Sequence, residues 1–180
     1  RQRNEEIPSF SYYFDRNHEQ YIEDIGTCFK KICDGESYEI CLTNTIYCDV
    51  DVDSVKYYMH LRKVNPAPYG CYMRFGDTSV LSTSIERFVK ITKDGVAETR
   101  PMKGTCKRNP DPVLDEQLRK GLENDEKNQS ENLMICDLCR NDLGKVCKVG
   151  SVKVDKLMTV ETYATVHQMT STVSGILEDD

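Results

Sequence analysis

The sequence predicts an α+β fold, and three observations predict it. Capping residues stand at the head of separate helix-forming runs: Asn17 or Asp15, then Asp53, then Asp111-Pro112. Between and after these runs lie short stretches rich in Tyr, Ile, Thr and Val, bounded by turn signals such as Lys93-Asp94-Gly95. The chain has no internal repeat, low-complexity tract or Gly/Ser linker. Hairpins and helices in separate blocks, rather than strict strand-helix alternation, argue for α+β and against a parallel α/β sheet.

The elements follow in order. Asn17 or Asp15 caps a helix to about Cys33 that carries Tyr21, Ile22, Ile25 and Phe29 on one face, and Asp34-Gly35 ends it. Ser37 to Asp49 has the composition of a strand. Asp53 opens a second helix to about Val64, which Asn65-Pro66-Ala67-Pro68 breaks. From Gly70 to Thr99 short strands alternate with turns, and Lys93-Asp94-Gly95 marks a hairpin. Asp111-Pro112 begins a charged helix to about Glu123. A further helix runs from Asp125 to Asn141 and ends near Gly144. Val152 to Leu177 returns to strand and turn, and the last residues, Leu177 to Asp180, read as frayed.

A chain of 180 residues is long enough for one domain with a real core. Charged residues make up 30% and mean hydropathy is -0.58, the balance of a soluble protein. No run approaches the about 20 apolar residues of a spanning helix, so the sequence excludes a helical membrane anchor within it. The N-terminal Arg1-Gln2-Arg3-Asn4-Glu5-Glu6 is charged and has no secretory apolar core. The formal net charge is -6, and basic residues form no dense patch interleaved with aromatics, which argues against nucleic acid as a partner.

Nine cysteines are scattered through apolar positions. That distribution fits free thiols in a reducing compartment, the cytoplasm or a plastid, better than a small disulfide scaffold. Cys136-x-x-Cys139 with Cys147 lacks the second ligand pair of a structural zinc site. Residues three apart share a helical face, so Cys136 and Cys139 are expected in a buried stripe with Leu133 and Leu143.

The stretch with the most chemical content is Arg100-Pro101-Met102-Lys103-Gly104-Thr105. Pro101 fixes one φ and Gly104 opens conformations closed to other residues, so Lys103 reads as held in a tight turn. A lysine amine becomes a nucleophile when partial desolvation favours its neutral form. A solvated loop lysine is the competing reading of the turn by itself.

The order of motifs changes that balance. After Pro-Met-Lys-Gly-Thr come Glu131-Asn132-Leu133-Met134-Ile135-Cys136-Asp137-Leu138-Cys139-Arg140-Asn141-Asp142-Leu143-Gly144, then Val160-Glu161-Thr162-Tyr163 and Val166-His167. Gly35-Glu36-Ser37-Tyr38-Glu39 and Asn65-Pro66-Ala67-Pro68-Tyr69 precede them. The series resembles the chorismate-utilising enzymes, nearest their para-aminobenzoate branch, from about His18 to Gly175. The resemblance implies a layered antiparallel β-sandwich with outer helices. It also implies that residues 1–180 form the N-terminal and central part of a catalytic domain. The family's late glycine-rich motifs are absent here, so these residues alone are expected to be inactive.

The resemblance further implies a reaction on chorismate, a dianion whose 4-hydroxyl is replaced by an amine. Hydroxide is a poor leaving group and needs an acid. Glu86, in Ser82-Thr83-Ser84-Ile85-Glu86-Arg87-Phe88, matches the family's acid, with Ile85 where relatives carry Pro. Lys103 stands where the para-aminobenzoate branch carries lysine and anthranilate or isochorismate relatives carry a small residue such as Ala. As the family's nucleophile it would add to the ring as the hydroxyl leaves, and ammonia from a glutamine amidotransferase, a separate subunit or a fused domain, would displace it.

Glu131 matches a ligand for Mg²⁺, the hard cation suited to a substrate carboxylate. Asn128, one helical turn earlier, replaces an acidic residue often found there. His167 matches the family's active-site histidine, and Gly104 and Thr105 are expected to offer a backbone N–H and a hydroxyl to a substrate carboxylate. Structural readings compete with each: a surface ion pair for Glu86, a solvated charge near a helix start for Glu131, a hydrogen-bonded strand residue for His167. Two other functional readings are an enzyme of the anthranilate branch, against which Lys103 counts, and a remnant that binds without chemistry.

Overall fold

The computed structural model describes residues 11–179. The charged run 1–6 and Asp180 lie outside them. The chain divides between Val52 and Asp53 into two compact units.

In the first unit, β1 (Tyr12–Phe14) pairs antiparallel with β2 (Ile46–Cys48), and the Tyr13 and Tyr47 rings stack across the pair at 4.9 Å. Helix α1 (His18–Cys33) starts where the Asn17 side chain accepts from the Gln20 N–H and ends at Asp34 before Gly35 at φ +76. Tyr21, Ile25 and Phe29 of its apolar stripe line a groove with Ile40 and Leu42. Ile22 stands outside it, more than half exposed. The strand expected over Ser37–Asp49 is realised only at Ile46–Cys48. The residues before it lay Ile40 and Leu42 against α1 and pair with no strand among the described residues, and without a ladder there their β-propensity forms no sheet.

The second unit begins with α2 (Ser54–Val64), capped by Asp53, whose carboxylate accepts from the Val55 and Lys56 amides. Buried Tyr58 packs against Tyr72 of the antiparallel hairpin β3 (Tyr69–Phe75) and β4 (Thr78–Ser84). Next come β5 (Arg87–Ile91), the turn through Gly95 at φ +76, β6 (Val96–Arg100) and β7 (Met102–Lys107). Helices α3 (Pro112–Glu123) and α4 (Glu126–Gly144) follow, capped by Asp111 and Asp125. The chain closes with β8 (Lys153–Thr162) and β9 (Val166–Ile176).

Strand β9 organises this unit. It pairs with β8 along one edge and with β6 and β7, end to end, along the other, all antiparallel. Pro101 divides β6 from β7, and its carbonyl accepts from the Ser171 amide, so the line of pairing survives the break. Nine consecutive residues, His167 to Gly175, are buried. One set of alternate residues meets the helices: His167 touches α3, Ser171 touches α4, and Val173 joins Ala97, Cys136, Leu143 and Cys147 in the apolar core. The other set includes Gln168, which meets Thr105, and Ser174, which meets Asp155 of β8. The architecture is thus α+β with antiparallel sheets and helices laid against them.

Two expectations about α4 and the chain end are corrected. Cys136 and Leu143 are buried and Cys139 partly so, but Leu133 is 51% exposed. Asn132 takes the inward position instead, because polar carbonyls await it there. Leu177 to Asp179 are tied down rather than frayed: Leu177 donates to the Gly95 carbonyl, Glu178 to that of Val146, and Asp179 pairs with Lys148. All nine cysteines are free thiols, and no cluster among the described residues is suited to a metal ion. No helix among those residues is long and apolar enough to cross a membrane.

Candidate functional site

Lys103 does not sit in a turn. It lies in β7, inside a β-bulge: Met102 pairs with Thr170 and Thr105 with Gln168, so Lys103 and Gly104 together face Met169. Gly104 takes φ +95, a conformation that excludes most side chains. Pro101 and Gly104 do mark special backbone, but β9 draws that backbone into a sheet instead of letting it reverse.

The bulge seats the start of α4. A β-carbon at Gly104 would stand 2.9 Å from Asn128 Cβ, so only glycine permits this approach. Asn128 is held in turn, since its backbone amide and its side-chain amide both donate to Asp125 Oδ1 at 2.8 Å. Glu131 lies one turn along, partly exposed, with Lys127 Nζ 3.5 Å from its carboxylate. Thr105 donates its hydroxyl to Gln168 Oε1 at 2.7 Å. Beside it a cleft of about 450 Å³ opens between β7, α3 and the first turn of α4, lined by Thr105, Asn109, Gln117, Leu118, Asp125 and Asn128 among others.

His167 is 2% exposed. Its Nε2 lies 3.0 Å from Asp115 Oδ1 and its Nδ1 2.9 Å from Thr162 Oγ1, so both ring nitrogens are engaged within the fold. Asp115 also accepts from Arg108 and from the Asn109 amide. The Arg108 guanidinium holds the Asp115 carboxyl well below the usual carboxylate range, with the Asn109 amide and His167 adding to the effect. Arg108 donates onward to the Tyr163 carbonyl. The network clamps α3 to the β8–β9 connection.

Glu86 lies in the connection between β4 and β5. Its backbone amide donates to Ser84 Oγ and its carboxylate is exposed. The Cys139 thiol, pushed up chiefly by burial, also feels this carboxylate.

The fold therefore brings Lys103, Gly104, Asn128 and the Glu131 turn of α4 into one region, with Thr105 at its margin. It gives His167 partners on α3 and β8. Sequence reasoning missed Asn132, Asp115 and Gln168. Asn132 was visible beside Glu131 in the motif, while the partners of the other two lie far away in sequence. For a divalent cation, Glu131 is a hard carboxylate, but the described residues assemble no group of three acidic, histidine or cysteine ligands. On that donor set the described residues do not complete a Mg²⁺ site.

Residues 3–180 match the family of chorismate binding enzymes, and the chain belongs to that family. It is 49% identical, over 94% of its length, to the chloroplastic aminodeoxychorismate synthase of Arabidopsis thaliana, and 47% identical over 98% to aminodeoxychorismate synthase of Streptomyces pristinaespiralis. It spans 19% and 24% of those two proteins. The crystal structure of anthranilate synthase component I from Streptococcus pneumoniae superposes with a TM-score of 0.84 at 27% identity, over 96% of this chain and 38% of that one.

Proposed function

We propose that this chain is the chorismate-binding part of an aminodeoxychorismate synthase. In this reading the 4-hydroxyl of chorismate is replaced by an amine on the route to para-aminobenzoate and folate. The observation that carries it is Lys103 in the bulge against α4, next to the turn that bears Glu131. The identity to proteins of that name supports it.

In this reading Lys103 is the nucleophile that adds to the ring as the hydroxyl leaves, and Glu86 protonates that hydroxyl. Ammonia from a glutamine amidotransferase, as a partner subunit or a fused domain, then displaces the lysine. Gly104 and Thr105 border the substrate carboxylates. Mg²⁺ belongs to the reading as a counter-charge for a carboxylate, with Glu131 as this chain's contribution and the remaining ligands from elsewhere in the protein. His167, with both nitrogens engaged, acts by holding α3 and β8 around the site. A reducing compartment, cytoplasm or plastid, suits the nine free thiols.

The test is product analysis with the full-length protein, chorismate, ammonium and Mg²⁺, against Lys103→Ala. Wild type is expected to form 4-amino-4-deoxychorismate through an enzyme-linked adduct visible by intact mass, and Lys103→Ala to lose the adduct while keeping its fold. Anthranilate or isochorismate as the main wild-type product would sink the assignment.

A further inference from the structure

The bulge creates a problem that the chain solves with one side chain. Where two residues face one, the ladder loses its regular hydrogen bonds, and the carbonyls beside the bulge need other donors. Asn132, on α4 directly after Glu131, is fully buried. Its amide nitrogen lies 3.2 Å from the Met169 carbonyl oxygen and 3.4 Å from that of Lys103. These are the residues on the two sides of the bulge, and an amide has two hydrogens to give.

The other end of the amide is also used. Asn132 Oδ1 accepts from the Ser171 hydroxyl, and Ser171 Oγ accepts at 3.0 Å from the Met158 amide. Met158 lies in an irregular part of β8 at φ +50, where its N–H faces a side chain instead of a strand partner. The relay Met158, Ser171, Asn132, Lys103 therefore runs from β8 through β9 and α4 to the backbone of the proposed nucleophile. Each polar atom of the buried amide has a partner, so the orientation of the group is determined by its surroundings.

We propose that Asn132 is a positioning residue for Lys103: it fixes the bulge carbonyl and so the backbone from which the lysine side chain departs. The inference rests on the reading of Lys103 as nucleophile. A packing role would need only an apolar side chain of similar volume. A positioning role needs the two donors, and a displacement of the order of 1 Å at a reacting group costs about a hundredfold in rate.

The experiment uses the full-length protein with chorismate, ammonium and Mg²⁺, and compares Asn132→Leu with Leu143→Ala, a core change farther along α4. Asn132→Leu is expected to lower kcat by about a hundredfold with KM for chorismate nearly unchanged. It is also expected to slow formation of the Lys103-linked adduct, followed by intact mass, by a similar factor. Leu143→Ala should lower the melting temperature but leave the adduct rate and kcat as in wild type. An Asn132→Leu protein that loses only stability, with kcat and adduct rate unmoved, overturns the proposal. If that variant does not accumulate, Asn132→Ser keeps one donor and is expected to show the same loss of rate at smaller size; a wild-type kcat and adduct rate there overturn it equally. A wild type that turns over without any dependence on Lys103 removes the parent reading, and is recognised before Asn132 is changed.

Discussion

Gly104 of β7 and Asn128 of α4 touch where no side chain fits between them: a β-carbon on the glycine would lie 2.9 Å from Asn128 Cβ. The contact sets the spacing between the lysine-bearing strand and the helix that carries Glu131. Gly104→Ala is therefore expected to cost about 1–3 kcal/mol, from a strained φ and from the displaced helix start. Gly95 also has positive φ, but no atom lies within 4 Å of its added β-carbon. Gly95→Ala is expected to cost only the backbone strain. Denaturant titration of both variants checks the order, and equal losses would show that the helix contact contributes nothing.

The clamp at Asp115 predicts an acid dependence. Its carboxyl is held below the ordinary range by Arg108, so the fold favours the ionised form. The resulting stability is present above the unfolded value of about 3.9 and is lost as pH falls from there through the folded value. Asp115→Asn is expected to melt earlier than wild type at neutral pH, with the gap narrowing below about pH 4. Melting curves across that range measure it; a gap that stays constant to strong acid rules the clamp out.

Much of this fold was legible because its signals are local. Asn17, Asp53, Asp111 and Asp125 each cap a helix by accepting from a backbone amide two or three residues on, a geometry encoded in a few consecutive positions. The hairpin at Gly95 has the same character. What failed was long-range. Ser37 to Thr45 has strand composition but pairs with no strand among the described residues. Pro101 and Gly104 are turn residues and predict a turn at Lys103, while the strand that straightens them lies more than 60 residues on. Leu133 and Asn132 exchange the burial their hydropathy suggests, because the inward position faces carbonyls from β7 and β9. The candidate site was legible as a set of residue types, through the motif series. That the histidine is spoken for by Asp115, 52 positions away, could not be read from spacing.

Glu131 and Glu86 should respond differently to metal. Glu131→Gln is expected to raise the Mg²⁺ concentration for half-maximal activity about tenfold or more. Glu86→Gln should leave that value alone and lower turnover at saturating Mg²⁺ by about a hundredfold. Metal titrations of the two full-length variants separate the roles. An unchanged Mg²⁺ requirement in the Glu131 variant would assign that carboxylate to its Lys127 ion pair alone.

Thr170 offers a stabilising change. It is fully buried in β9, and its hydroxyl has no hydrogen-bond partner among the described residues. Valine has nearly the same shape, so Thr170→Val removes the desolvated hydroxyl and is expected to stabilise by about 1 kcal/mol. A lower denaturation midpoint would show that the hydroxyl is satisfied after all.

The buried course of β9 has a consequence for how this protein fails. Its backbone amides are expected to exchange with solvent only when the second unit opens as a whole, since a strand paired on both edges cannot fray by itself. The apolar core, the lysine bulge and the α3 clamp all hang on that one strand. On warming, core, bulge and clamp should thus be lost in a single event, with no long-lived state in which one of them outlasts the others.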